Sequence, residues 1–189
     1  MSELPAKPAI LVVDDTPENI ELLCAVLDRE YRTRVAINGE RALTIASSEH
    51  KPDLILLDVM MPGMSGYDLC RALKATAATR HIPVIFITAL SEAVDEAKGF
   101  ELGAADYITK PISPPIVLAR VRTQLALKGA QDLLSGQNKI LEAEVEKRTR
   151  EITALQDVTV RAMASLAETR DNETGNHIRR TSYYVKALA

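Results

Sequence analysis

Residues 54–66, with the sequence LILLDVMMPGMSG, give the clearest indication of the fold. They open with a continuous apolar run that ends on Asp58, and they turn through Met61-Pro62-Gly63 before a helical stretch begins. A continuous run suits a strand covered on both faces of a parallel sheet, because a strand with one wet face alternates apolar and polar residues. The segment therefore predicts one β-then-α unit with a carboxylate where the strand ends.

The same pattern recurs along the first two thirds of the chain. Strands are predicted at Ala9–Val13, Tyr31–Ile37, Asp53–Asp58, Pro83–Thr88 and Asp106–Thr109. Helices are predicted at Pro17–Asp28, Asn38–Ala46, Ser65–Lys74 and Ser91–Leu102, and after Pro111. Five such units with apolar strands indicate an α/β protein with a doubly wound, five-stranded parallel sheet.

The residues just beyond the strands are the candidate functional residues, because a doubly wound sheet binds its ligands beyond the carboxyl ends of its strands. These residues are Asp14, Asp15, Asp58, Thr88 and Lys110. Three neighbouring carboxylates repel one another, so the cluster predicts a bound hard cation, and oxygen ligands favour Mg²⁺. A cation, an ammonium and a hydroxyl around one carboxylate are typical of phosphoryl transfer to an aspartate.

Composition and charge exclude several other classes of protein. The 189 residues carry 23 Lys and Arg against 26 Asp and Glu, and there is no Trp. The chain is therefore predicted to have neither a basic surface that binds nucleic-acid phosphates nor an aromatic surface that stacks on bases. No apolar run approaches the ~20 residues that span a bilayer, and the N-terminus shows no secretory signal. Cys24 and Cys70 form no paired motif, which indicates reduced thiols in a cytoplasmic protein.

The C-terminal third carries a heptad pattern instead of strand-like runs. Alternating steps of four and three give Leu134, Asn138, Leu141, Val145, Arg148, Ile152, Leu155, Thr159, Ala162 and Leu166. Most of these positions are apolar, which predicts a long helix that pairs with a copy of itself in a parallel coiled coil. Asn138 and Arg148 would weaken the pair and fix its register. The alternative is one amphipathic helix folded back on the α/β body.

Four motifs, in order along residues 8–127, resemble the receiver domain of two-component response regulators. They are Asp14-Asp15, LILLDVMMPGMSG, Thr88-Ala89 and the segment DYITKP, which ends on Lys110-Pro111. The resemblance implies a flavodoxin-like sheet with strand order 2-1-3-4-5. It also implies a histidine kinase as partner, with Asp58 as the phosphoacceptor. Mg²⁺ would be held by Asp15, Asp58 and the backbone oxygen of Met60, and by Asp14 through water.

The resemblance implies roles for the remaining residues of these motifs as well. Thr88 would hydrogen-bond the phosphoryl group, and Lys110 would pair with the acceptor carboxylate and then with its phosphate. Tyr107 occupies the position of the switch aromatic, for which the alternative is an edge-strand residue that merely packs. Ala89 is small enough to admit a phosphodonor. The bond before Pro111 would be a cis peptide that aims Lys110 into the site.

Two positions beside the acceptor depart from what hydrolysis of the phosphate needs. Met60 and Leu90 lie two residues beyond Asp58 and Thr88, and neither side chain can hydrogen-bond a water that attacks the phosphate. We therefore expect slow self-dephosphorylation.

The segments after the receiver carry a second resemblance. The helix at 128–166 contains LEAEVEKRTREITALQDV, which is similar to linkers between sensory modules and effectors.

Residues 167–189 resemble the opening of an HD-GYP domain, a family that hydrolyses cyclic di-GMP at a metal centre. Glu173 and His177 would be its first two metal ligands, one helical turn apart. No His-Asp or Gly-Tyr-Pro motif follows, so we expect a fragment of a longer protein that cannot hydrolyse the dinucleotide by itself. The alternative for these two residues is a solvated helix face.

Two functions follow from these observations. The first is a phosphorelay response regulator that passes its switch through a dimeric coiled coil to an HD-GYP phosphodiesterase in the full-length protein. The alternative is a stand-alone dimerising receiver that buffers phosphate without enzymatic output. A DNA-binding regulator is excluded by the charge balance and by the lack of a helix-turn-helix pattern. The residues after His177 also disfavour a hybrid histidine kinase, and the complete acceptor set disfavours a degenerate receiver.

Overall fold

The computed structural model of the chain describes residues 7–89 and 101–170, with side chains described as far as Leu166. The predicted helix at Ser91–Leu102 lies almost wholly outside these ranges, and so do Leu90, Glu173 and His177. In the part that is described, no helix combines the length and the apolar character needed to cross a bilayer.

The centre of the molecule is a five-stranded parallel sheet. Its strands are β1 (Ala9–Val13), β2 (Arg32–Ala36), β3 (Leu54–Asp58), β4 (Val84–Thr88) and β5 (Asp106–Thr109). They lie in the order β2-β1-β3-β4-β5 and pair in parallel throughout. The predicted α/β class and the strand order 2-1-3-4-5 are therefore confirmed. All residues of β1, β3 and β4 are buried, as their continuous apolar runs predict.

Four helices are described, and local sequence explains where the second and third begin. They are α1 (Pro17–Leu27), α2 (Gly39–Ala46), α3 (Gly66–Ala75) and α4 (Pro114–Arg170). The side chain of Asn38 accepts a hydrogen bond from the Arg41 amide at the start of α2, and that of Ser65 accepts one from the Asp68 amide at the start of α3. Both residues have extended backbone and act as N-caps, which satisfies a helical N–H that has no partner within the helix.

Two hydrophobic clusters cover the sheet, one on each face. Neighbouring strand residues such as Ile10 and Leu11 belong to different clusters, because successive side chains of a strand point to opposite faces. One cluster joins the sheet to α2 and α3, and the other joins it to α1 and the first turns of α4. Burial on both faces makes the sheet a fixed platform for the residues at its carboxyl edge.

The chain divides into two compact units, Met1–Asp132 and Leu133–Ala189. The first contains the sheet and the helices that cover it. In the second, the described residues continue α4 as far as Arg170. Apolar side chains in this part of the helix are mostly exposed, unlike those of the first unit.

Candidate functional site

Three carboxylates meet at the carboxyl edge of the sheet. Asp14 and Asp15 directly follow β1, and Asp58 is the last residue of the neighbouring strand β3. The pairing of Val13 with Leu57 sets the ends of these strands side by side. The three residues offer carboxylate oxygens that all lie within 4.8 Å of one another. Asp14 and Asp58 are buried, whereas Asp15 is exposed, so the cluster is open to solvent on one side.

Lys110 brings a positive charge into this cluster from the end of β5. Its Nζ lies 2.9 Å from Oδ1 of Asp58 and 3.6 Å from Oδ2 of Asp14. The backbone amide of Lys110 donates to the carbonyl of Thr88 at 2.7 Å, which ties the end of β5 to the end of β4. The Lys110–Pro111 peptide bond is cis. About a quarter of the Lys110 side chain remains exposed, so the amine has water on one side and carboxylates on the other.

The environment of Asp58 disfavours its charged form. Burial of the carboxyl group raises its pKa above the ordinary value, and the negative charges of Asp14 and Asp15 act in the same direction. The hydrogen bond and the charge of Lys110 oppose this effect without cancelling it. A single ammonium therefore leaves the carboxylates short of positive charge, and a further cation would relieve their repulsion.

The donor set fits a hard divalent cation such as Mg²⁺. The carboxylate oxygens of Asp14, Asp15 and Asp58 are the kind of donor that such an ion prefers. The described residues at this edge bring no His or Cys into the cluster, which distinguishes it from a zinc site. The same arrangement can support phosphoryl chemistry, because a carboxylate nucleophile lies beside an ammonium group.

Two residues that hydrogen-bond Asp14 are not among the site residues predicted from the sequence. The side-chain amide of Asn19 donates to both oxygens of Asp14, at 3.1 and 3.0 Å, and the backbone amide of Thr16 donates to one of them at 2.8 Å. These bonds fix the orientation of a buried carboxylate. Asn19 lies on the first turn of α1 and belongs to no sequence motif, so only the fold brings it to the cluster.

The remaining predicted residues lie around the cluster at different depths. Thr88 ends β4 and is buried, whereas Ala89 is exposed. Tyr107 lies on β5, half buried against the hydrophobic cluster on one face of the sheet, with the Arg120 guanidinium 5.8 Å from its ring centroid. Met60 is 67% exposed, which leaves its side chain in solvent next to Asp58.

Comparison with known proteins agrees with this fold. Residues 10–122 match the family model for the response regulator receiver domain, and the chain belongs to that family. It is similar to two solved structures. The receiver domain of a signal transduction histidine kinase from Syntrophus aciditrophicus shares 41% identity, with a TM-score of 0.58 and coverage of 63% of this chain and 90% of the other. Chemotaxis protein CheY4 from Vibrio cholerae shares 26% identity, with a TM-score of 0.59 and coverage of 62% and 98%.

Two curated relatives are also similar to this chain, and the similarity to one of them extends beyond the receiver domain. A protein from Vibrio cholerae serotype O1, named "Probable cyclic di-GMP phosphodiesterase", is 50% identical over 180 residues, which are 95% of this chain and 41% of that protein. "Response regulator PleD" of Caulobacter vibrioides is 50% identical over 120 residues, which are 63% of this chain and 26% of that protein. The chain thus spans less than half the length of either relative.

Proposed function

We propose that this chain is the phosphorylation-responsive part of a cytoplasmic response regulator and that Asp58 accepts a phosphoryl group from a histidine kinase. The observation that carries the proposal is the contact between Lys110 Nζ and Asp58 Oδ1 at 2.9 Å, inside a cluster of three carboxylates. Phosphoryl transfer requires a positioned nucleophile and positive charge around the phosphoryl oxygens. Here Asp58 is the nucleophile, Lys110 supplies one positive charge, and the neighbouring carboxylates can hold a cation that supplies more. The exposed side of the cluster gives the phosphodonor access.

The transfer needs no general base, because the nucleophile is already an anion. A carboxylate oxygen of Asp58 attacks phosphorus, the P–N bond of the phosphohistidine breaks, and its electron pair stays on the imidazole nitrogen. Lys110 pairs first with the Asp58 carboxylate and then with the oxygens of the new acyl phosphate. The Thr88 hydroxyl donates a hydrogen bond to the same group. Mg²⁺, when held by Asp15, Asp58 and Met60, supplies positive charge that offsets the phosphoryl oxygens.

The fate of the phosphoryl group depends on which side chains can orient water. Met60 is exposed beside Asp58, and its thioether is at best a weak hydrogen-bond acceptor. We therefore propose that the aspartyl phosphate persists long enough to act as a signal. We also propose that the ring of Tyr107 turns inward once Thr88 moves toward the phosphoryl group. Hydrolysis within seconds in Mg²⁺ buffer would contradict the first part of this proposal.

We propose that the switch reaches an effector through a dimeric coiled coil formed by α4. In the full-length protein this effector would be an HD-GYP phosphodiesterase acting on cyclic di-GMP, with Glu173 and His177 among its metal ligands. The support is the similarity to the named phosphodiesterase, which extends well past the receiver domain. Similarity to the receiver alone, as in PleD, would equally fit the alternative of a stand-alone module.

The acceptor can be tested by treating the chain with acetyl phosphate and Mg²⁺ and measuring its intact mass. We expect a gain of one phosphoryl group in the wild type and none in Asp58→Asn. Asp132→Asn is the matched control, because Asp132 is an exposed carboxylate on α4, and it should be phosphorylated like the wild type. A gain in Asp58→Asn would show that another residue is the acceptor.

A further inference from the structure

Among the exposed apolar side chains described in the second unit, one set forms a stripe along the helix. Its large members are each more than half exposed, and they are Leu134, Leu141, Val145, Ile152, Leu155 and Leu166. They follow one another at steps that return to the same side of an α-helix. A stripe this long on a helix rich in charged residues is the geometry of a coiled-coil seam, in which a partner helix covers the apolar positions.

The residue types along this stripe select the number and direction of the strands. In heptad terms, Val145 and Ile152 take the a position, and Leu141 and Leu155 take the d position. β-Branched residues at a combined with Leu at d favour two parallel strands over three or four. Asn138 also falls at an a position, where a single Asn fixes register and strand number at a cost in stability. The occupant that fits the stripe is therefore a second copy of the same helix.

One layer of this seam is charged. Arg148 takes the d position between the apolar pairs Leu141–Val145 and Ile152–Leu155. Its Nε lies 3.0 Å from a carboxylate oxygen of Glu144, and its Nη1 lies 3.8 Å from a carboxylate oxygen of Glu151. Glu144 and Glu151 take g positions, at the rim of the seam. The structure thus holds the guanidinium at the edge of the stripe, partnered within its own helix.

A parallel pair in register would bring Arg148 beside its own copy. Two guanidinium groups at one layer repel each other, and each must be held at the rim by its glutamates to stay hydrated. The layer also loses the apolar burial that two leucines would contribute. The coiled coil is therefore weakest at its middle, with apolar layers on both sides that are strong enough to define the register.

We propose that Arg148 holds the coiled coil near the balance between monomer and dimer, so that the state of Asp58 can shift that balance. This inference rests on the proposed function, because it requires α4 to pair as a dimer and Asp58 to take a phosphoryl group. A seam with leucine at every d position would remain paired whatever the receiver does, since a modest change in free energy moves only an equilibrium that is already close to even.

The test uses the full chain and measures its dissociation constant by sedimentation over a dilution series. Arg148→Leu should tighten the dimer at least about a hundredfold, because two leucine side chains become buried. Arg150→Leu is the matched control. Arg150 faces away from the seam at an f position and is paired with Glu146 in its own helix, so the same chemical change there should alter the constant by less than about threefold.

The direction and the regulatory role are tested separately. In a Cys24→Ser, Cys70→Ala background, Leu141→Cys should form an interchain disulfide under mild oxidation, because a parallel pair sets residue 141 beside its copy.

Acetyl phosphate should shift the dissociation constant of the wild type and leave the Arg148→Leu dimer fully paired. The proposal is overturned if Arg148→Leu fails to tighten the dimer, if it yields trimers, or if the wild-type constant does not respond while intact mass shows Asp58 phosphorylated. Absence of the mass gain would instead count against the proposed function.

Discussion

Asn19 donates its side-chain amide to both carboxylate oxygens of Asp14, at 3.1 and 3.0 Å. Asp14 is wholly buried, so its orientation depends on such donors rather than on water. The two bonds, with that from the Thr16 amide, keep Asp14 turned toward Lys110 and Asp58. Groups that orient the residues around a metal site contribute to its affinity even though they never touch the ion.

Asn19→Ala is therefore expected to weaken Mg²⁺ binding about tenfold, the lower end of the loss seen when such orienting groups are removed. The affinity can be measured by the rise in melting temperature during a Mg²⁺ titration, since an ion that binds only the folded state stabilises it. Leu22→Ala is the control, because Leu22 is an exposed neutral residue on the same helix. Equal affinities in Asn19→Ala and the wild type would show that the Thr16 amide orients Asp14 without help.

Asp58→Asn is expected to make the metal-free protein more stable at neutral pH. Burial, together with Asp14 and Asp15, raises the pKa of Asp58 in the folded state above its unfolded value. The ionised group therefore costs stability at pH above the folded pKa, and that cost disappears below the unfolded pKa of about 3.9.

Urea unfolding in EDTA should show a higher midpoint for Asp58→Asn than for the wild type at pH 7.5. The difference should shrink as the pH falls through the folded pKa toward 4. Asp132→Asn, at an exposed site, should show no such gain. If Asp58→Asn unfolds earlier than the wild type at pH 7.5, the contact with Lys110 outweighs burial and repulsion.

The strands could be predicted from sequence because a fully covered sheet requires a local apolar run for each of them. β1 and β5 begin and end at the predicted residues, and β3 and β4 begin one residue later than predicted. The helix boundaries differ for a physical reason. The sequence pattern predicts Ser65 as the first residue of α3, but Ser65 is the N-cap. Its backbone is extended, and its side chain accepts a hydrogen bond from the Asp68 amide.

Some contacts of the site and of the fold around it could not be predicted in this way. Asp14, Asp58 and Lys110 are found by a rule about strand ends, because each directly follows or ends a predicted strand. Asn19 acts from the side of a helix, and Lys128 reaches Asp53 across 75 positions of sequence, so neither leaves a local pattern. Such pairs exist only because the tertiary fold brings distant segments together.

Lys128→Gln is expected to destabilise the first unit by about 1 kcal/mol, the upper range for a partly exposed ion pair. The Nζ of Lys128 lies 3.1 Å from Oδ1 of Asp53, whose other oxygen accepts the Ala9 amide at 2.9 Å. Burial alone would lower the pKa of Lys128, but its bonds to Asp53 and Asp132 raise it, so the interaction is fully present at neutral pH. Urea unfolding can measure the loss. Lys139→Gln, an exposed lysine on the same helix, is the control. Equal losses in the two variants would mean that the pair with Asp53 contributes nothing.

Gly66→Ala is expected to disrupt the edge of the sheet next to Asp58. A Cβ at Gly66 would press into the backbone carbonyl oxygen of Asp58 and would lie 2.8 Å from the Cα of Val59. Neither backbone atom can move without displacing the end of β3, because the Val59 amide is bonded to Ile87 of the neighbouring strand. Overpacking costs about 1–3 kcal/mol, and contact with fixed backbone places this substitution at the upper end of that range.

Gly129→Ala gives the matched comparison, because a Cβ at that exposed position of α4 meets nothing within 4 Å. There the substitution should stabilise the helix by about 1 kcal/mol, since alanine has the higher helix propensity. Urea unfolding should show that Gly66→Ala lowers the free energy of unfolding and that Gly129→Ala raises it. Such a result would show that the loss at Gly66 comes from the close approach of β3 and not from the replacement of a glycine as such. The Gly66 variant should also lose phosphorylation by acetyl phosphate, because the displaced strand end carries Asp58. A Gly66→Ala protein that keeps both its stability and its mass gain would show that the α3 N-terminus can shift away from β3 without moving the acceptor.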